Sequence, residues 1–414
     1  MNIGPIIRAM KHNRTRVVLI VLEIALTLAI VTNCVNVILS ERAKMSRSSG
    51  FDDDNLLRIN TRPFGPEFQQ PGFLDMSIDG DVRRIKAIPG VRAVANTSFQ
   101  LWEGGGSSST WVPAGANRTD GPQIQNYYAT SDIVEALGMK LTAGRPFRES
   151  DHGVGTAPDP INVALITKDA AEALFPGQNV VGKAIQRPGQ PGAQPVTIVG
   201  VIEEFYNPWG MDDGSNNGPS SSTRALFLPA RVGSVNRGVA YLVRTEPGAM
   251  ESVIAAAEKQ LAAGNANRVI EFETVTTKKG QWFSGSKIVV TTMTCIIVAL
   301  VVVTALGLLG LTSLAVAERT KQIGTRRALG ATRSDILRHF LIENWLVTTA
   351  GLLIGVFGTY ALNVLLVSKV SDTKMPWQLV AAGMVLLWIN GLLATLPPAL
   401  RATHVPPSIA TRSV

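Results

Sequence analysis

Ala317-Glu318-Arg319-Thr320-Lys321-Gln322-Ile323-Gly324-Thr325-Arg326-Arg327-Ala328-Leu329-Gly330-Ala331-Thr332-Arg333 is a run to which every other part of the chain can be referred. It is dense in Arg and Lys, yet membrane-length apolar runs lie on both sides of it. Residues 288–316 carry no charge, and residues 340–367 carry one, Glu343. Short loops rich in Lys and Arg stay on the cytoplasmic face of a membrane. The stretch is therefore a cytoplasmic connector, and the rest of the chain is placed relative to it.

Apolar residues concentrate in one segment near the N-terminus and three after Lys287. About 20 apolar residues cross a bilayer core, so the chain reads as four spans: 17–39, 287–317, 340–367 and 377–396. Residues 1–16 form a cytoplasmic or interfacial N-terminal segment, 318–339 the connector, 368–376 an outer turn and 397–414 a cytoplasmic tail. Residues 4–11 fit either a short interfacial helix or a frayed end. The N-terminal run is too long for the apolar core of a cleavable signal. The run 288–316 would be about 45 Å long as a helix, against a core of about 30 Å. It should tilt, or project beyond the membrane as a rod.

Residues 40–286 form a large insert on the far side. The net charge of +8 invites a nucleic-acid reading, but position excludes it. Residues 41–286 hold 24 Lys and Arg against 26 Asp and Glu, so the basicity belongs to the segments that flank the spans. Nucleic acid is not an expected partner. Cys34 and Cys295 both fall in apolar spans and read as packing residues.

The insert reads as an α+β domain. Residues 55–60, 91–95, 161–166 and 196–201 have strand patterning. Residues 79–88, 168–174 and 246–263 have helical patterning, and residues 131–141 a helix–turn–strand pattern. Pro89-Gly90 and Pro176-Gly177 are stop signals. Residues 104–110, 187–194 and 212–222 are loop-like in composition. Trp282-Phe283 suit a membrane interface.

Four places invite a chemical reading. Gly177-Gln178-Asn179-Val180-Val181-Gly182-Lys183 has the spacing of a nucleotide-binding P-loop, which needs a preceding strand, a following helix and a hydroxyl residue. Here a helix precedes, a strand follows and Ala184 replaces the hydroxyl, so a tight turn is expected. Glu203-Glu204 reads as a solvated turn. His12, His152, His339 and His404 are scattered, without metal-ligand spacing. No nucleophile is paired with a base, so no catalytic residue, metal or bound cofactor is expected. Glu23 lies inside the first span, where a charge is costly unless it faces protein or water. It contacts another helix, snorkels to the headgroups or pairs with a basic neighbour. Gly351, Gly355 and Gly358, spaced by four and three, suit close helix packing.

The run Glu318-Arg319, Gln322-Ile323-Gly324, Arg327-Ala328-Leu329-Gly330-Ala331-Thr332 and Phe340-Leu341-Ile342-Glu343 resembles the FtsX-like permease domain of MacB-type ABC transporters. The insert is similar to the MacB-type periplasmic core domain at Ile88-Pro89-Gly90-Val91, Gly144-Arg145-Pro146-Phe147, Leu174-Phe175-Pro176, Val181-Gly182-Lys183 and Val199-Gly200-Val201. Pro397-Pro398-Ala399-Leu400-Arg401-Ala402 matches near the C-terminus.

The resemblance implies a permease subunit in the inner membrane, with its large domain in the periplasm. It implies a second permease protomer, identical or related, and a cytoplasmic ATPase supplied in trans, which carries the ATP and magnesium. It also implies a periplasmic membrane-fusion protein and an outer-membrane channel, with efflux driven by mechanical transmission. Relatives instead transmit signals to periplasmic enzymes, as FtsX does, or extract lipoproteins, as Lol-type permeases do. By position, Glu318 and Arg319 would end the second span. Ile323, Ala328 and Leu329 would face the ATPase, with Gly324, Gly330 and Ala331 allowing close approach. Arg326 and Arg327 would meet acidic residues or lipid phosphates. Gln322 stands where the family usually carries an acidic residue.

Overall fold

A computed structural model describes residues 14–103, 106–116, 119–152, 161–189, 194–208, 222–365 and 375–406. The chain divides into two compact units: Arg47–Ser284, and Met1–Ser46 with Gly285–Val414. The segment 4–11 and most of 212–222 and 368–376 lie outside the described residues.

The first helix, α1, runs over Arg14–Ser46. After it, the soluble unit opens with β1 (Leu56–Pro63), α2 (Phe73–Lys86) and β2 (Val91–Asn96). It closes with β11 (Val239–Thr245), α5 (Met250–Gly264), β12 (Arg268–Thr274) and α6 (Val275–Trp282). The four strands form one antiparallel sheet in the order β12-β1-β11-β2. Two split βαβ units are thus interleaved, each helix crossing over one intervening strand. The helices form where apolar residues recur at helical spacing: Leu74, Ile78 and Ile85 in α2, and Val253, Ala257 and Leu261 in α5. Leu57 and Ile59 of β1 and Val243 of β11 meet them in one buried core. Arg58, Asn60 and Arg62 point to the opposite face, as the period of two requires.

Asp81 sits on the inward face of α2, fully buried. Arg268 of β12 grips it with two guanidinium nitrogens, one at 2.9 Å, and also donates to Leu261 O. The Tyr241 hydroxyl donates to the same carboxylate. Burial, and after it the Asp81 charge, push the Tyr241 phenol well above its ordinary range.

Between β2 and β11 the chain builds a second sheet. Its strands are β3 (Ser107–Thr110), β4 (Val112–Pro113), β5 (Gln123–Ala129), β6 (Leu141–Gly144), β7 (Val163–Thr167), β8 (Ala184–Gln186), β9 (Val196–Ile202) and β10 (Ala225–Pro229), with α3 (Ile133–Leu137) and α4 (Lys168–Leu174) between them. The order is β3-β5-β10-β7-β9-β8-β4, and β6 adds to β9. The parallel pairs β5–β10 and β7–β9 sit inside it. Ile166, Ile198 and Leu226 carry its core against Ala170 and Leu174 of α4.

The membrane unit adds α7 (Ser284–Glu318), α8 (Thr320–Ala328), α9 (Arg333–Leu365) and α10 (Trp377–Thr403) to α1. All but α8 are long and apolar enough to span. Gly351 and Gly355 of α9 bring its backbone onto α1: a Cβ at Gly351 would stand 2.9 Å from Ile24 Cβ, and one at Gly355 3.0 Å from Ala25 O. Polar residues tie the bundle where its backbones meet. Asn33 donates to Thr359 O at 3.1 Å, Asn344 to Gly391 O at 3.1 Å, and Thr27 meets Thr304 at 2.8 Å. Only 11 % of the most apolar stretch of α7 is buried, against 56 % for α1, so α7 is the outlying helix. At 35 residues it is about 52 Å long, well beyond a bilayer core.

Several local expectations are corrected. The third spanning helix starts at Arg333, inside the expected connector, and the fourth runs through Pro397-Pro398 to Thr403. Residues 107–110 of the loop-like stretch are strand β3. The last helix of the insert begins at Met250 because Pro247-Gly248 makes a turn first, with Gly248 at φ +81°. Phe283 is buried in the soluble unit, its ring 5.5 Å from Trp102, and does not lie at a lipid surface.

Candidate functional site: the connector between two spanning helices

The connector folds by local rules. Helix α7 ends at Glu318, and Arg319 leaves the helical conformation before α8 begins. Gly324 does not interrupt α8. Gly330 does end it, at φ +98°, a conformation that favours glycine. The Gly330 N–H donates to Arg327 O and the Ala331 N–H to Arg326 O, the paired bonds of a Schellman cap. Thr332 then starts α9. Its hydroxyl accepts from the Asp335 N–H at 3.2 Å, and the Asp335 carboxylate accepts from the Thr332 N–H at 3.0 Å. This reciprocal capping resembles the capping box, with Asp in place of Glu. The Thr332-x-x-Asp335 signal was present in the sequence, and it fixes the true start of the third spanning helix.

Three side chains anchor α8 to the bundle. Ile323 is 5 % exposed and packs with Ile336 and Phe340 of α9 and Ala399 and Ala402 of α10. Burying such a side chain stabilises by about 1.5–3 kcal/mol. Arg319 donates to Glu343 of α9 at 2.8 Å. Arg327 donates to Thr403 O at 3.2 Å and Val405 O at 2.6 Å, which satisfies carbonyls at the C-terminal end of α10. Ile323 and Arg327 therefore turn inward, a correction to the outward roles expected of them. Gly324 is buried with Ile323. Arg326, Ala328, Gly330 and Leu329 are exposed, with Lys321, Gln322 and Thr325 beside them, and Leu329 is 83 % exposed. Ala331 is half-buried and Glu318 exposed.

The structure does not join the intramembrane candidates to the connector. Gly351, Gly355 and Gly358 line α9 where it meets α1. The Glu23 carboxylate of α1 lies over Gly307 of α7, within 2.5 Å of where a Cβ would stand there. Gly177 and Gly182 adopt φ +67° and +86° around a turn from α4 into β8. Lys183 lies 4.7 Å over the Phe175 ring, so the P-loop spacing is turn geometry. Among the described residues, no group of three or more His, Cys, Asp or Glu could hold a metal ion.

Two family models match. Residues 17–261 match the MacB-like periplasmic core domain, and residues 294–407 the FtsX-like permease C-terminal domain. The chain belongs to the MacB family of ABC transporter permeases. It is an inner-membrane, multi-pass permease whose α+β domain, inserted between the first two spans, is periplasmic. This MacB-family chain is 27 % identical over 353 residues to the ABC transporter permease YknZ of Bacillus subtilis, covering 81 % of this chain and 78 % of that one. It is 27 % identical over 411 residues to the macrolide export ATP-binding/permease protein MacB of a Shewanella species. That match covers 96 % of this chain and 58 % of the relative, so this chain spans little more than half of that protein. The crystal structure of the extracellular domain of YknZ aligns over 53 % of this chain and all of that one, at 18 % identity and a TM-score of 0.33.

Proposed function

We propose that this permease passes the work of a cytoplasmic ABC ATPase to its periplasmic domain and so drives export of a substrate. The observation that carries the proposal is the build of α8. Its inner side is fastened to α7, α9 and α10 through Arg319, Ile323 and Arg327, while Leu329, Arg326, Gln322 and Lys321 stay outside. A push on the outer side is therefore felt by three spanning helices at once. An exposed leucine among basic residues suits an apolar notch with an acidic rim. The ATP and magnesium belong to the ATPase. The remaining partners of this reading are a second permease protomer, a membrane-fusion protein and an outer-membrane channel. Efflux needs no polar path through the bilayer, since the work is done in the periplasm.

The test is co-reconstitution with the ATPase. Leu329→Glu should lower both association and permease-stimulated ATP turnover at least tenfold, while the melting temperature of the permease stays within the error of measurement. Unchanged turnover with Leu329→Glu would sink the docking role.

A further inference from the structure

Within the soluble unit, a cleft of about 720 Å³ opens between the outer face of the four-stranded sheet and the β3–β5 end of the eight-stranded sheet. Its lining is charged in both senses. Arg58, Arg62, Arg237 and Lys278 face Glu103, Glu271 and Glu273. Among the described lining residues only Val232, Val239 and Ala240 are aliphatic. Small-molecule pockets are mostly apolar, so this cleft is unlike a site for a greasy drug.

The charges are already arranged in pairs. Arg58, 8 % exposed, lies 2.6 Å from Glu103. Lys278 bridges Glu103 and Glu273, each at 2.8 Å. Burial pushes the Glu103 carboxyl up, but the bonds from Lys278 and Arg58 hold it below the usual carboxylate range. Glu103 therefore stays ionised at neutral pH. The Arg58 Nε is buried without a hydrogen-bond partner. The side chains of Asn60, Gln100 and Arg237, which also line the cleft, have no protein partner among the described residues.

Two open sheet edges border the same space. Among the described residues β3 pairs only with β5, and β12 only with β1, so each presents one row of backbone donors and acceptors that no described strand pairs. Ser107 of β3 and Glu271 and Glu273 of β12 line the cleft. An extended chain can add to such an edge through its backbone while side pockets read alternate side chains.

We infer that this cleft binds a hydrophilic, extended peptide carrying both basic and acidic side chains, and that such a peptide is the exported substrate. The inference deepens the export reading and rests on it for the word substrate. A lysine of the peptide meets Glu103, Glu271 or Glu273, and an acidic residue meets Arg58, Arg62 or Arg237. Backbone groups meet the free edge of β3, and the amides of Asn60 and Gln100 complete the contacts.

The experiment uses the full chain in lipid nanodiscs, without ATPase or nucleotide. The probe is a fluorescent Ala-Lys-Ala-Glu-Ala peptide, with Ala-Gln-Ala-Gln-Ala as the neutral control. The charged peptide should bind at least tenfold more tightly than the neutral one. Gln100→Trp, an exposed position at the cleft, and Lys278→Met should each weaken it at least tenfold with the melting temperature kept. Bound peptide should slow amide exchange over Ser107–Thr110. Equal binding of the two peptides, or wild-type affinity in Gln100→Trp, or unchanged exchange in β3, would overturn the assignment. Because no ATPase is present, a permease that binds the peptide but fails to couple refutes the export reading alone.

Discussion

Arg319, where α7 gives way to α8, is bonded at 2.8 Å to Glu343, ten residues into α9. The pair is largely buried, with 14 % and 8 % of the two side chains exposed. Arg16 of α1 lies within electrostatic reach of both, and its Nε and Nη1 are enclosed without a hydrogen-bond partner. The Glu343 carboxylate thus lies near two guanidinium groups, with Glu318 a lesser opposite charge on Arg16. Removing the Glu343 carboxylate leaves two like charges together in a poorly solvated place. Glu343→Ala should destabilise the membrane unit by about 3 kcal/mol, the scale for breaking a buried pair from one side. The exchange Arg319→Glu with Glu343→Arg should recover much of that loss. Thermal unfolding in detergent reads both, and a Glu343→Ala protein as stable as wild type would show that the pair contributes nothing.

The same end of the bundle shows what could be read without coordinates and what could not. The connector, the four spans and the Arg and Lys asymmetry were legible because bilayer thickness and charge retention act on composition alone. The side of α8 that faces inward was not. Ile323 and Leu329 are both apolar and both lie in the matching motif, yet one is buried and the other stands in solvent. That difference depends on where Ile336, Phe340 and Ala399 arrive from two other helices. Arg327 likewise looked like a surface cation until the carbonyls ending α10 were placed against it. Pro397-Pro398 misled for another reason. Proline removes its own N–H donor and crowds the carbonyl four residues back, which can kink a helix without ending it, and here the helix continues to Thr403. In the soluble unit the main strands followed from their apolar patterning, but the split βαβ order came from pairings between residues about two hundred positions apart.

Gly351, Gly355 and Gly358 share one sequence pattern but not one contact. A methyl group at Gly351 would meet Ile24 Cβ at 2.9 Å and Val21 O at 3.0 Å, and one at Gly355 would meet Ala25 O at 3.0 Å. A backbone oxygen cannot rotate away, so α1 and α9 would have to part. At Gly358 the nearest atom is Ala29 Cβ at 3.4 Å, close to ordinary contact. Gly351→Ala and Gly355→Ala should each cost about 1–3 kcal/mol, the range for overpacking. Gly358→Ala should be close to neutral. Melting temperatures of the three purified variants check this, and equal losses at all three positions would contradict it.

The Asp81–Arg268 pair separates a structural charge from a functional one. Both partners are enclosed, and the carboxylate also takes the Tyr241 hydroxyl and the exposed Arg84. Asp81→Ala would strand Arg268 beneath α2, at a cost of about 3–5 kcal/mol. The loss should appear as unfolding of the soluble unit, read by hydrogen exchange in β1 and β12. It should leave ATPase association intact at temperatures where the variant is folded. Fast exchange confined to the membrane helices would be the wrong outcome.

His152 gives the soluble unit a pH dependence whose direction can be worked out. Burial, reinforced by the Arg231 charge, holds the imidazole below its ordinary pKa, against weaker opposing pulls from Asp151, Asp132 and Glu149. In the unfolded chain a histidine titrates near 6.5. As pH falls below about 6.5, the unfolded state takes up a proton that the folded state still refuses, so stability falls with pH. Above about pH 7 neither state binds that proton, and the contribution is flat. The Asp151 carboxyl is held down by Arg145, so its own loss of stability comes at a lower pH, below the unfolded Asp value near 3.9. The two groups therefore act in separate windows. Denaturant unfolding of the wild-type chain should show stability declining from pH 7 to pH 5, and His152→Gln should flatten that decline. A slope of the same size in His152→Gln would assign the dependence to another group.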